Sequence, residues 1–244
     1  MNNNVQLLNY MKLPSLKKEF SYLKRTIDFH DKGFLKKGLN FQRKYPNENV
    51  IRFVKSKFKK KSFFLDLGCG NGRHIKFLIK EKHKVDGLDF SKQAIKILKK
   101  NKIKSKIFLT DLNSFKNPKK KYDGIIDCFT SYTLKRHHFE QYIIQMSKLL
   151  KKNGYFHLQT LSSRSNLFIN YKPSKKISTY SLNRISRKDS PFPKDNYLFT
   201  FYSKNYLTNF FNKLNFKNIN IEQHSRTYNN SKEYLEYFVV EAKK

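Results

Sequence analysis

The sequence predicts an α/β fold: a seven-stranded, mostly parallel sheet with helices on both faces and an antiparallel C-terminal strand. Three observations carry this. From Ser62 to Thr160, short apolar runs alternate with amphipathic stretches of helical period, the pattern of successive βαβ units. A glycine-rich turn, Gly68-Cys-Gly-Asn-Gly72, joins the first run to the first helical stretch. Acidic residues stand at or near the ends of the apolar runs, where open α/β sheets bind their ligands.

The elements follow in order. Asn47 is a fair N-cap for a helix with Val50, Ile51, Val54 and Phe58 on one face. Phe63-Phe-Leu-Asp-Leu67 is a first strand, and Gly72 to Lys80 a helix with Ile75, Leu78 and Ile79 inward. Lys84-Val-Asp-Gly-Leu-Asp89 is a second strand. Ser91 caps a helix that buries Ala94, Ile95 and Leu98. Lys106 to Thr110 and Tyr122 to Phe129 are the third and fourth strands. Phe139, Tyr142, Ile143, Met146, Leu149 and Leu150 form a helical stripe, with Asn153-Gly154 as its expected end. Tyr155 to Thr160 is the fifth strand. Ser203 caps a last helix with Leu207, Phe210, Phe211 and Leu214 inward. Phe216 to Ile221 and Tyr234 to Ala242 are two closing strands.

Two regions fall outside this alternation. Residues 1–45 are polar, basic and interleaved with aromatics, and read as a helical cap on the main domain, residues 46–244. Residues 161–196 are rich in Ser, Lys, Asn and Pro without a period. An insertion of this length inside a compact domain is usually functional or disordered.

The chain has 244 residues, enough for one domain with a sizeable core. No run of 18 apolar residues suggests a membrane span. The N-terminus lacks a basic and then apolar leader. Cys69 and Cys128 have no CxxC spacing, so neither a disulfide framework nor a metal site is expected, and the cytoplasm is the natural compartment. The 52 basic and 18 acidic residues give a net charge of +34. That number suggests a polyanion partner such as nucleic acid. The excess is mostly Lys, and its doublets are scattered rather than focused. Compositional drift toward Lys, Asn, Ile, Phe and Tyr accounts for it better.

The chemistry lies at the strand ends. Asp66-Leu-Gly-Cys-Gly-Asn-Gly72 has GxGxG spacing, not the GxGxxG of dinucleotide sites. Its glycines allow a sharp turn and a close backbone approach. An acid two positions before the first glycine would repel a pyrophosphate but would help hold a cation. Asp89 ends the second strand, where a carboxylate can accept from both ribose hydroxyls. Asp111 follows the third strand and either accepts from an adenine amino group, with Leu112 against the ring, or simply starts a loop.

Phe64 to His74, then Gly87-Leu-Asp-Phe-Ser91, then Asp111-Leu112 resemble the class I S-adenosylmethionine-dependent methyltransferases. Leu149-Leu-Lys-Lys-Asn-Gly154 is similar to the family's LKPGG motif, with Lys152-Asn153 in place of Pro-Gly. The resemblance spans about residues 48–160 and, by topology, the closing helix and strands. The Asn71-Gly-Arg-His74 variant is similar to small-molecule branches of the tellurite and thiopurine type. The resemblance implies a Rossmann-like fold and S-adenosylmethionine as cofactor. It implies cofactor contacts at Asp66, Gly68, Gly70, Asp89 and Asp111, with Cys69, Asn71, Phe90, Leu112 and Cys128 as neighbours.

The resemblance also implies that the segment after the fourth strand faces the transferred methyl. Here that segment is Asp127 to His138, without the [DNS]PP[YF] tetrad of amino-methyltransferases acting on nucleic acids. It also lacks the Pro-Cys nucleophile of cytosine enzymes, and Cys128 reads better as a small strand-end residue. Tyr132, His137 and His138 are the candidates for acceptor contact or general base. The alternative for the His pair is a solvated helix start. The expected reaction is methyl transfer to a small molecule. An RNA acceptor and a non-catalytic binding module are the competing readings.

Overall fold

The computed structural model describes residues 14–115, 121–172, 174–183, 198–228 and 230–244. Residues 1–13 of the expected cap lie outside these. So do residue 173 and residues 184–196 of the expected insertion.

Among the described residues, ten strands form one sheet. Seven make the main body: β1 (Phe63–Leu67), β2 (Lys84–Asp89), β3 (Lys106–Leu109), β4 (Tyr122–Cys128), β5 (Leu150–Ser162), β9 (Lys217–Tyr228) and β10 (Glu233–Lys243). Their order is β3-β2-β1-β4-β5-β10-β9, and all are parallel except β10, which is antiparallel to both of its neighbours. This is the expected seven-stranded sheet. Three short strands extend it: β6 (Lys175–Ser178), β7 (Ser181–Asn183) and β8 (Leu198–Tyr202). They come from the segment after β5, and β8 joins the sheet through Leu161↔Phe201 and Ser162↔Tyr202.

Helix α1 (Pro14–Lys37) precedes α2 (Glu48–Lys57), α3 (Arg73–Lys80), α4 (Lys92–Lys100), α5 (Arg136–Ser147), the short α6 (Asn166–Ile169) and α7 (Lys204–Lys213). The sequence-based caps form. The side chains of Asn47, Ser91 and Ser203 accept from the N–H groups of Asn49, Ala94 and Tyr206.

Strand alternation places Phe64 and Ile126 on one face with Val50, Phe53, Val54, Ile75, Leu78 and Leu98, so α2, α3 and α4 share that face. Leu65, Leu67, Ile125, Phe156 and Leu158 face the other way, against α5 and α7. Burying both faces explains why β1 reads as an unbroken apolar run apart from Asp66. A third cluster, with Tyr132, Leu161, Leu182, Phe199 and Leu235, sits where the segment after β5 covers the sheet edge.

One boundary differs from the sequence reading. Helix α5 stops at Ser147, and Leu150 is already in β5. Asn153-Gly154 forms an irregularity inside β5, not a helix end. The pairing of β4 with β5 jumps from Tyr122↔Leu150 to Gly124↔Tyr155. Asn153 takes φ +65°, and a Cβ on Gly154 would come within 3.0 Å of the Asp123 and Lys151 carbonyl oxygens. Left-handed backbone and a required glycine look alike in sequence at a helix end and in a bulge.

Among the described residues no helix is long and apolar enough to cross a membrane.

Candidate functional site

The loop after β1 turns on three left-handed glycines: Gly68, Gly70 and Gly72 have φ +62°, +50° and +75°. Only glycine adopts such angles without strain. The loop is also tightly packed. A Cβ on Gly68 would lie 2.3 Å from Thr130 Cγ2, and one on Gly70 would lie 2.0 Å from Gln42 Oε1. The glycines therefore serve both the turn and the approach of two other chain segments.

Asp89, at the end of β2, holds this loop from below. Its Oδ2 accepts from the Gly70 N–H and its Oδ1 from the Ser91 N–H, both at 2.8 Å. Burial pushes its carboxyl up to about 6 from 3.8, against those two hydrogen bonds, with the nearby Asp66 and Asp31 charges adding to the rise. Each carboxylate oxygen keeps a further lone pair.

Asp66 is 1% exposed. Its Oδ1 lies 3.4 Å from His74 Nδ1, and its Oδ2 is buried without a hydrogen-bond partner. His74 Nε2 accepts from the Asn47 N–H at 3.4 Å, so the proton sits on Nδ1, facing Asp66. A buried carboxylate oxygen left open is costly unless something fills the place.

The other expected cofactor neighbours are placed as follows. Cys69 is buried, its N–H donates to the Leu88 carbonyl, and burial pushes its thiol well above the usual range. The Asn71 side chain donates to the Gln42 and Arg43 carbonyl oxygens, and its N–H donates to Gln42 Oε1. Phe90 meets the His30 ring edge-on at 5.5 Å, and burial lowers that imidazole to about 4. Cys128 Sγ lies 3.8 Å from Arg73 Nη2 and is pushed up to about 12 by burial, far from a reactive thiolate. Asp111 Oδ1 accepts from the N–H groups of Asn113 and Ser114, an Asx turn. Leu112 is buried in the main core with Phe115.

Asp66, Gly68, Cys69, Gly70, Asn71, Asp89 and Cys128 thus meet around one strand-end cradle, whereas Asp111 closes its own turn. Among the acceptor candidates, Tyr132 is 8% exposed and packs against Phe199 and Phe129 at 5.5 and 6.5 Å. His137 and His138 sit on the first turn of α5 with their rings 4.0 Å apart.

Several residues escaped the sequence reading. Thr130 wedges against Gly68 and donates to the Leu67 carbonyl at 2.9 Å. Asp127 is fully buried and accepts from the Thr130 and Ser131 N–H groups and from the Tyr142 hydroxyl at 2.8 Å. An Asp three residues before a Thr-Ser pair was the available signal. Asp31 of α1 accepts from the Ser91 hydroxyl and the Gln93 N–H, and so ties α1 to the start of α4. Nothing local in sequence announces that contact.

The residues fit the cofactor that the resemblance implies. Asp89 keeps lone pairs that can accept from a diol, and the open Asp66 oxygen can accept from an ammonium.

Comparisons with known proteins identify the family and the fold. The profile of the methyltransferase domain family matches residues 39–221. A ubiquinone biosynthesis O-methyltransferase from Pelagibacter ubique is 32% identical over 127 residues, which is 49% of this chain. The chain spans about half the length of that curated relative, 52%. Among solved structures, the Burkholderia thailandensis 1,6-didemethyltoxoflavin-N1-methyltransferase is similar, with a TM-score of 0.64 at 14% identity. It was solved with 1,6-didemethyltoxoflavin and S-adenosylhomocysteine bound, and the match covers 93% of this chain and 89% of that one. TehB from Haemophilus influenzae has a TM-score of 0.58 at 17% identity, over 88% of this chain and 67% of its own. At these identities the structural likeness speaks for the fold alone.

Proposed function

The chain belongs to the methyltransferase domain family, in the class I S-adenosylmethionine-dependent superfamily, and on that premise we propose that it transfers a methyl group to a small-molecule acceptor. One observation carries the reading. Two acids, Asp66 and Asp89, flank a loop of left-handed glycines, and one of them keeps a buried oxygen with no partner. That combination suits a nucleoside with a cationic, phosphate-free tail.

S-Adenosylmethionine, when bound, supplies a methyl group already activated on a sulfonium. The protein then has to hold, align and exclude water. Asp89 would accept from the ribose hydroxyls while keeping the Gly70 and Ser91 N–H groups. Asp66 would accept from the ammonium, with His74 fixing its other oxygen. Thr130 keeps the glycine loop in shape from the β4 side. Asp111 and Leu112 are assigned to the adenine end, with Phe90 beside it.

The acceptor region is the aromatic cluster of Tyr132, Phe129 and Phe199 beneath the segment after β5. Tyr132, with His137 or His138 where a proton must leave, is assigned to acceptor contact. Residues 1–45 are assigned as a cap and residues 161–196 as the acceptor lid. Supporting the first, Asp31 and Gln42 bond to α4 and the glycine loop. Two buried free thiols suit a reducing cytoplasm.

The test has two arms. Calorimetry should show S-adenosylhomocysteine binding to the full chain. Label from methyl-labelled S-adenosylmethionine should enter the small-molecule fraction of a cell extract and not its RNA. No binding would sink the methyl-transfer reading, and label in RNA would sink the small-molecule acceptor.

A further inference from the structure

Beyond the turn that carries Thr130, Arg136 opens α5. Its guanidinium carbon lies 3.4 Å from the centre of the Tyr180 ring and 4.1 Å from that of Tyr206, over the face of each. The two rings come from distant parts of the chain. Tyr180 stands between β6 and β7, with its carbonyl accepting from the Phe201 N–H at 2.8 Å. Tyr206 lies on α7, and its hydroxyl donates to Glu140 at 2.7 Å. Glu140 is one helical turn from Arg136 and would be its natural ion-pair partner. It is engaged by Tyr206 instead.

The guanidinium is therefore stacked and held, but its hydrogen bonds are not made. Both Nε and Nη2 of Arg136 are buried without a partner. These two nitrogens carry the parallel N–H bonds along one edge of the group, the fork that grips an oxyanion side-on. Leaving such donors buried and open costs stability, so a site of this kind calls for an occupant. A second open group lies close by. Tyr202 is fully buried, stacks on Tyr206 at 5.7 Å, and has a hydroxyl with no partner. The first turn of α5 has no side-chain cap and no acidic residue, so its local field also favours an anion.

We propose that Arg136, with the Tyr202 hydroxyl, receives an oxyanion of the methyl acceptor, a carboxylate or phosphate on a small molecule. This rests on the methyl-transfer reading above and narrows its acceptor to an anionic compound. Tyr180, between β6 and β7, makes the site depend on those strands as well as on α5 and α7.

The experiment is calorimetric titration of benzoate, and separately of phenyl phosphate, into the full chain saturated with S-adenosylhomocysteine. Binding of benzoate supports a carboxylate, binding of phenyl phosphate a phosphate, and either supports the site. Arg136→Gln should lose roughly tenfold or more in affinity for the bound probe. Tyr202→Phe keeps the packing and removes only the open hydroxyl. It should leave the fold intact and weaken the probe severalfold, and it decides the matter should Arg136→Gln fail to fold. Both folded variants should keep the wild-type affinity for S-adenosylhomocysteine. The proposal is overturned if wild-type protein binds neither probe, or if both folded variants bind it unchanged. Failure of the methyl-transfer reading shows up separately, as loss of S-adenosylhomocysteine binding while the probes still titrate.

Discussion

The two ends of the carboxyl edge are built differently. At the cofactor end, one carboxylate and the backbone within 25 residues of it do most of the work. Asp89 takes the Gly70 and Ser91 N–H groups, and the glycines set the curve of the loop. At the end proposed to take the acceptor, Tyr132, Tyr180, Phe199, Tyr202 and Arg136 come from the turn after β4, the segment after β5 and α5. The first is a local device in which Asp89 satisfies the Gly70 and Ser91 N–H groups and Asp66 keeps an open acceptor oxygen. The second is a long-range assembly that keeps open donors on Arg136 and Tyr202.

The comparison can be broken most forcefully at Gly68. Gly68→Ala combines a left-handed φ with contact against Thr130, a branched side chain that cannot swing away. It should cost about 4 kcal/mol in denaturant unfolding. A loss below about 1 kcal/mol would mean the loop is softer than its packing implies.

Asp89→Ala strands two buried N–H groups and should cost about 3 kcal/mol of stability, with a parallel loss of S-adenosylhomocysteine affinity. Affinity unchanged by calorimetry would overturn the ribose assignment. The pH dependence sharpens this. The Asp89 carboxyl titrates at about 6 when folded, above its ordinary 3.8. Its protonated form therefore adds stability at low pH that is lost as the pH rises through about 6. Cofactor binding runs the other way, because the ionised carboxylate is the better double acceptor. Affinity for S-adenosylhomocysteine should climb between about pH 5 and pH 7, and Asp89→Asn should flatten that climb.

Tyr142→Phe tests the junction between the two ends. It removes the hydroxyl donor to buried Asp127, whose other oxygen organises the Thr130–Ser131 turn. About 2 kcal/mol should be lost in unfolding. Acceptor turnover should fall more than cofactor affinity, since the turn leads into Tyr132.

The smallest effect is expected at Asp111. Asp111→Asn keeps the acceptor oxygen of the Asx turn, so stability should change by less than about 0.5 kcal/mol. A clear drop in S-adenosylhomocysteine affinity would assign the carboxylate to the adenine end, and no drop would leave it as a turn former.

The contrast also explains what was legible in the sequence. The cradle was readable because its determinants are close in sequence: a strand, glycines at fixed spacing, an acid and a cap at Ser91. The caps at Asn47 and Ser203 were readable for the same reason. Asn153-Gly154 misled because left-handed backbone serves a helix end and a strand irregularity equally. Strands β6 to β8 were not seen, since β6 and β7 are only four and three residues long and β8, buried at every position, shows no alternation. Gln42 on the glycine loop, Asp31 on α4, and the Arg136–Tyr180–Tyr206 stack are contacts between remote segments. Pattern reading along a single sequence has no signal for these.

Strand β10 runs against its neighbours and lies inside the sheet, between β5 and β9. It also follows every other strand of the sheet in chain order. While the ribosome is still delivering it, the edge of β5 that takes β10 along Tyr155–Leu161 is unpaired, although β5 already pairs with β4 and β8, and β9 has nothing to pair with. The nascent chain therefore carries an open, largely apolar edge until Glu233–Lys243 emerges and threads into the gap. A stalled or clipped product ending before that strand should be prone to aggregation and poor in cofactor binding, even though every residue of the glycine cradle has already been made.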